Sequence, residues 1–479
     1  MIYQFLIEHA NRNTVSFHMP GHKGAGIYSR YQYDDFLSRI MDCDITEIPG
    51  ADNLFQTEGI IRETQLKYAV LYDVDYSYLL INGTSGGLIA AILASVAQGK
   101  KLIMARNCHK AVFNALMLGN IQPVYAYPEQ VQGQEIAGAM TVDEIKRLLE
   151  QNPDAEAVIL PSPNYYGICS DIKSIAEIVH QAGKVLIVDQ AHGAHLHFFH
   201  KYGAGEDMPL SAESCGADIV VNSTHKTLAS FTQSAVLNLN SNRVDRYLLE
   251  DKLQAIQSTS PSYLLMGSLD INAELLLNHS KALMEEWKEN LDEFYRHAAR
   301  IPGLSIMKAP NLDRTKINLD MSELGIAGAE LEHELNQRDV FPELFTGNIL
   351  MCMTGIGNTR EHMERLLAAL REIAEQRRSR LRMDEAGAAS ESHSQTNPRK
   401  KVPPQAIFVG VPANKTYVPL AEAADQICAG SVIPYPPGIP LICPGEAFTN
   451  EIVQYIQFLR KTGEKVIGVT DAGTVPVGK

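Results

Sequence analysis

The chain has 479 residues, 45% hydrophobic and 20% charged, and its 42 Lys plus Arg against 56 Asp plus Glu give a formal net charge of −14. That balance supports a sizeable buried core and excludes disorder as the dominant state. The acidic excess argues against a nucleic-acid partner, and the length allows about three folding units.

Residues 1–55 read as a turn-rich N-terminal arm carrying HMPGHKGAG and TEIPGADNL. From 56 to 285, compact apolar runs alternate with helical patterns. Strands are expected at 77–82, 101–106, 157–161, 185–189 and 218–222, each bounded by turn residues. Ile172, Ile175, Ala176, Ile178 and Val179 recur at helical spacing, with Asp171 as N-cap and Gly183 as stop. Repeated strand–helix–strand predicts an α/β unit with a mostly parallel sheet covered by helices. Residues 262–300 read as helical, and 286–375 as a smaller α+β domain with a helix near AELEHELNQRD. Residues 376–404, charged and Ser/Ala-rich, read as a linker or mobile loop; 405–479 form a C-terminal domain carrying YPPGIPLICPGE.

Seven scattered cysteines without a C-x-x-C pair predict reduced thiols and a cytoplasmic protein. The first residues lack a signal-peptide pattern, and no apolar run approaches the ~20 residues of a membrane span, so no membrane partner is expected.

Three strand ends carry the chemistry. NGTSGG (82–87) follows one strand and opens a helix, where backbone N–H groups and the Thr84 and Ser85 hydroxyls can meet an anion. Asp189 ends a second strand, and Lys226 follows a third in NSTHK (222–226). In an open α/β sheet, carboxyl ends of parallel strands face one crevice. Singly, these are a tight turn, a capping carboxylate and a surface lysine. Together they match the demands of a pyridoxal phosphate site, namely an anion cradle, a carboxylate for the pyridine nitrogen and an amine for a Schiff base.

With FHMPGHKG (17–24), ITEIPGADNL (45–54), RNCHKAV (106–112), DQAHGAHLHF (189–198), STHK (223–226) and PPGIPLICPGE (436–446) in order, the chain resembles the fold-type I, pyridoxal-phosphate-dependent Orn/Lys/Arg decarboxylase family. The resemblance implies pyridoxal 5′-phosphate as cofactor and a Schiff base at Lys226. It places Thr84, Ser85 and Gly86 around the phosphate, with Ser223 and His225 nearby. Asp189 is implied at the pyridine nitrogen, His192 near the ring hydroxyl and His109 stacked on the ring. The implied reaction is decarboxylation of a basic L-amino acid, arginine first, lysine second and ornithine third, with Lys226 protonating Cα. Asp44, Glu47, Asp52 and Glu446 are candidates for the substrate's distal cation, some from a neighbouring subunit. Large relatives carry an additional N-terminal domain, whereas this chain starts almost at the core motifs, so a homodimer or homotetramer is expected. Gln190 stands where relatives often carry Glu, which is expected to alter hydrogen bonding around the site.

Two other readings use the same residues. Asp189, His192, His195 and His197 form D-x-x-H-x-x-H-x-H, which with His18 and His22 suits a metal-dependent hydrolase. The family reading instead expects no metal. Lys226 and Asp189 also suit an aminotransferase, a Cβ-acting enzyme or a non-catalytic homologue, whereas HMPGHKG and PPGIPLICPGE argue for the decarboxylases.

Overall fold

The compact apolar runs of the first half become the central sheet in a computed structural model that describes residues 1–134, 136–387, 406–435, 439–461 and 465–479. Its seven strands are β1 (Tyr76–Leu80), β2 (Lys101–Ala105), β3 (Gln122–Ala126), β4 (Ala155–Pro161), β5 (Val185–Asp189), β6 (Ile219–Asn222) and β7 (Ala235–Leu239). They lie in the order β1–β7–β6–β5–β4–β2–β3. Only β7 runs antiparallel to its neighbours β1 and β6; the other pairs are parallel. Every residue of β5 and β6 is buried, which is why these strands read as unbroken apolar runs.

The sequence pattern misses β3 and β7. Strand β3 is the sheet edge and holds Pro123, which costs no ladder bond on a free side. Strand β7 breaks the parallel alternation on which the prediction relied.

The helices that cover the sheet include α1 (Gly83–Ser95), α2 (Lys110–Gly119) and α3 (Ile172–Gln181). Helix α3 starts as expected: the Asp171 carboxylate accepts from Ser174 N at 3.1 Å, and Gly183 follows the helix with φ +71°.

Helix α4 (Tyr263–Ala298) is 36 residues long and continuous through the boundary expected between 285 and 286. The division is therefore not a chain break; one helix serves both units, with Trp287, Leu291 and Phe294 buried on its far half. The small unit is the antiparallel sheet β8 (Ser305–Ile306), β9 (Lys316–Asp320), β10 (Leu344–Thr346) and β11 (Ile349–Met353), in the order β10–β11–β9–β8. Helices α5 (Gly328–Asn336) and α6 (Arg360–Gly387) pack on it. Helix α6 corrects the segment read as a linker from 376, since its Arg, Glu, Gln and Leu residues are good helix formers and the helix runs on to Gly387. Residues 388–404 of that segment lie outside the described residues, as do 436–438 of the Pro-rich motif.

The arm joins both units. Its strand Val15–Phe17 pairs in parallel with Val340–Pro342. The following loop lies on the Lys226 turn, where Gly21 N donates to His225 O at 2.7 Å. A Cβ on Gly21 would stand 2.4 Å from Leu228 O, so only glycine allows this approach. In the C-terminal segment, helix α7 (Asn450–Lys461) packs Ile452 and Ile456 against Leu420, Phe448, Val475 and Val477. All seven cysteines are free thiols. Among the described residues, no helix is long and apolar enough to cross a membrane.

Candidate active site

The carboxyl ends of β1, β2, β4, β5 and β6 supply the site, each through the turn that follows it. Asp189 is the last residue of β5, and the turn Thr224–Thr227 after β6 presents Lys226. Four residues beyond β2, His109 caps α2 by accepting from Ala111 N through Nδ1 at 3.2 Å. The turn after β1 needs Gly83 at φ +65° before α1 can begin. The first turn of α1 holds no acidic residue, so Gly83, Thr84, Ser85 and Gly86 form a helix start suited to an anion.

Lys226 Nζ lies 2.9 Å from His192 Nε2 and 5.9 Å from the centre of the Tyr165 ring. Tyr165, in the loop after β4, also packs on the His192 ring at 4.7 Å between centroids. Burial lowers the Lys226 pKa; Asp189 and Glu343 oppose the shift, and Lys316 reinforces it. Burial raises the Asp189 carboxyl, while the Lys226 charge and the Ala191 N–H draw it back. Burial, with Lys226 as the next cause, takes His192 well below the ordinary histidine value. Burial and Lys226 also push His109 down to about 4. His225, whose Nδ1 donates to Ser234 O at 2.8 Å beside the Ser223 hydroxyl, is likewise lowered to about 4, chiefly by burial. The imidazoles around Lys226 are therefore neutral at ordinary pH.

Lys226 takes up Nε2 of His192, which leaves Nδ1 as its other ring nitrogen. That atom is buried without a hydrogen-bond partner among the described residues. A buried, unpartnered ring nitrogen is a place for a polar atom of a bound group.

The hydrolase reading loses its ligand set here. His192 faces Lys226, His195 Nε2 faces Asp313 at 3.2 Å, and His197 Nε2 faces Asp73 at 3.2 Å. His22 Nδ1 accepts from Gly24 N, and His18 Nδ1 contacts Met19 O. These side chains point to separate partners, and no cluster of three metal-ligating groups forms among the described residues.

The four candidates for the distal cation are placed differently. Asp44 and Glu47 are exposed on the arm. Asp52 binds backbone: it accepts from Asn53, Glu58, Gly59, Ile61 and Arg62 N–H groups and so closes the loop before helix Ile60–Tyr72. Glu446 is fully buried, accepting from Arg106 Nη2 at 3.2 Å and Cys443 N at 2.7 Å. Arg106 also donates to the carbonyls of Pro440 and Leu441, which fixes the C-terminal segment to the loop leading to His109.

Gln190, the departure noted above, is buried. It donates to Glu213 and Asn222 at 2.9 Å each and accepts from Ala212 N at 2.7 Å.

A family model described as Orn/Lys/Arg decarboxylase, major domain, matches residues 1–317, and the C-terminal domain of the same family matches 387–472. The chain belongs to the Orn/Lys/Arg decarboxylase family. Within that family it is 32% identical to an arginine decarboxylase of Bacillus subtilis (strain 168), across 98% of this chain and 96% of that one. It is 22% identical to a lysine decarboxylase of Pseudomonas aeruginosa, across 96% of this chain and 75% of that one. Its fold is shared with the lysine decarboxylase of Francisella novicida at a TM-score of 0.73 and 20% identity, over 99% of this chain and 80% of that one. Sequence reasoning missed Tyr165, whose SPNYYG loop signalled only a turn, and Lys316, which reads as an ordinary strand residue.

Proposed function

We propose that this family member is a pyridoxal-phosphate-dependent decarboxylase of a basic L-amino acid, with arginine first, lysine second and ornithine third. The observation that carries the reading is the 2.9 Å contact of Lys226 Nζ with His192 Nε2, at the ends of the adjacent strands β5 and β6 and beside buried Asp189. The residues fit the cofactor. The helix start at Thr84, Ser85 and Gly86 suits its phosphate, Ser223 and His225 are the candidates to flank it, and the unpartnered Nδ1 of His192 suits its ring hydroxyl. Asp189 suits the ring nitrogen, and the half-buried ring of His109 suits its face.

When bound, the cofactor supplies an electron sink for the bond between Cα and the departing carboxylate. With the cofactor bound, Lys226 would hold its aldehyde carbon until the substrate's amine takes that place. The freed amine, its pKa lowered by burial, would then be placed to carry a proton to Cα. Asp189 would keep a proton on the ring nitrogen. Tyr165 and the neutral imidazoles of His192 and His109 wall the site with uncharged rings, a setting that favours loss of a neutral product from a carboxylate.

Arginine ranks first because the relative named as an arginine decarboxylase matches end to end at 32% identity, ahead of the lysine decarboxylase at 22%. With Asp52 and Glu446 engaged elsewhere, Asp44 and Glu47 are the candidates open to a distal cation. We infer a homodimer or homotetramer from the apolar face of helix Ile2–Ala10, where Ile2, Tyr3, Phe5 and Leu6 are all exposed.

The test incubates purified protein and cofactor with each of the three amino acids and measures CO₂ and amine. Release from arginine above lysine and ornithine is expected. No release from any, with cofactor bound, contradicts the activity; a keto acid without CO₂ favours an aminotransferase.

A further inference from the structure

Behind Lys226 lies a second array of charged groups that the reaction does not use directly. Lys316, the first residue of β9, is fully buried, and so are Asp313 and His195. Lys316 Nζ donates to Asp313 Oδ2 at 3.0 Å, to Thr315 Oγ1 at 3.1 Å and to the carbonyl of His192 at 2.9 Å. Three acceptors match the three N–H bonds of an ammonium. Asp313 in turn accepts from Thr315 N at 2.9 Å and faces His195 Nε2 at 3.2 Å. The other ring nitrogen of His195 lies 3.1 Å from Thr227 Oγ1, on the residue after Lys226. Burial raises the Asp313 carboxyl, but Lys316 and His195 outweigh it and hold it well below the usual carboxylate range.

The array therefore reaches both halves of the Lys226–His192 contact through the backbone. One end fixes the carbonyl of His192, and the other fixes the turn that carries Lys226. Its cation and anion both come from the small unit, where Gly167 at φ +91° packs against them with no room for a side chain.

We propose that Lys316 is a positioning residue for the reaction: held by Asp313 and Thr315, it fixes the His192 carbonyl and thereby the ring against which the Lys226 amine rests. This rests on the decarboxylase reading for its kinetic consequence, but not for its geometry. Lys316 also places a buried positive charge near Lys226, whose other charged and titratable surroundings are Asp189, Glu343, His192, His109, His225 and Tyr165. Removing a cation from this set raises the affinity of the Lys226 nitrogen for a proton.

The test compares cofactor-loaded parent, Lys316→Met, Lys316→Arg and Thr315→Val. Borohydride labelling of Lys226 in one portion establishes that each variant carries the cofactor, and the absorbance of a separate, unreduced portion is titrated with pH. In Lys316→Met the label stays on Lys226 and the titration midpoint moves up by about one pH unit. With arginine, kcat falls ~100-fold while KM holds within a few-fold, as displacement of a reacting group predicts. Lys316→Arg, which keeps the charge, brings the midpoint back toward the parent's, and Thr315→Val, which removes one acceptor and keeps the cation, lowers kcat by less than Lys316→Met. A parental midpoint and parental kcat in a folded Lys316→Met overturn the proposal. If that variant does not fold, a parental kcat in a folded Thr315→Val overturns it. A parent that binds cofactor at Lys226 but releases no CO₂ removes the decarboxylase reading, while the titration still decides the role of Lys316.

Discussion

Lys226 must shed a proton to act as a nucleophile, and burial lowers its pKa while Asp189 keeps the crevice from being purely cationic. Asp189→Asn cannot hold a charged ring nitrogen, so kcat is expected to fall about 10³-fold with cofactor still attached to Lys226; steady-state kinetics beside borohydride labelling checks both. Gln190 offers a second residue-scale prediction. Its amide donates to the Glu213 carboxylate, so Gln190→Glu sets two carboxylates face to face in the core. The new carboxyl's pKa is raised on folding. The variant is therefore close to parent below the unfolded value of about 4.3 and loses stability as pH rises above it, reaching about 3 kcal/mol near neutrality. Thermal melts at pH 5 and pH 8 should show the larger deficit at pH 8. Lys226 and Asp189 stand out in the sequence because each ends or closely follows an apolar strand, whereas the resemblance to the family was needed to single out His192. Lys316 was not: a lysine opening a short strand looks like any solvated lysine until the fold buries it against Asp313.

Helix α1 shows how an element positions a site. It must lie close on β1 and β6 for its first turn to stand beside the Lys226 turn. Gly87 permits this, because a Cβ there would come 2.5 Å from Leu80 Cδ1 and 2.9 Å from Val221 Cγ1. Gly87→Ala is expected to cost about 1–3 kcal/mol by overpacking and to weaken cofactor binding, which urea unfolding and a cofactor titration would measure. Strands with buried faces on both sides were legible from unbroken apolar runs. The edge strand β3 and the antiparallel strand β7 were not, since local sequence carries no record of which neighbour a strand finds. Helix α6 was misread from 376 because polarity was taken for disorder, although a helix lying on the small sheet needs only one apolar stripe.

Across the whole molecule, the C-terminal segment is tied to the cofactor-binding unit by the buried Arg106–Glu446 pair. Glu446→Ala leaves the Arg106 charge buried without its carboxylate and is expected to cost about 3 kcal/mol. An early transition in urea unfolding, together with weakened His109-side binding of cofactor, is the expected sign. Helix α4, shared between the unit of the seven-stranded sheet and the small unit, made the boundary between them invisible to composition. Lys226 is one lysine among several: Lys316 is fully buried, Lys23 is half-buried and pushed down to about 7, chiefly by desolvation, and either is a chemical rival. Borohydride reduction of cofactor-loaded protein, followed by peptide mass spectrometry, decides between them. The account predicts the reduced cofactor on the peptide containing Lys226 and its loss in Lys226→Ala; label on Lys23 or Lys316, or bound cofactor with no label on Lys226, would contradict it.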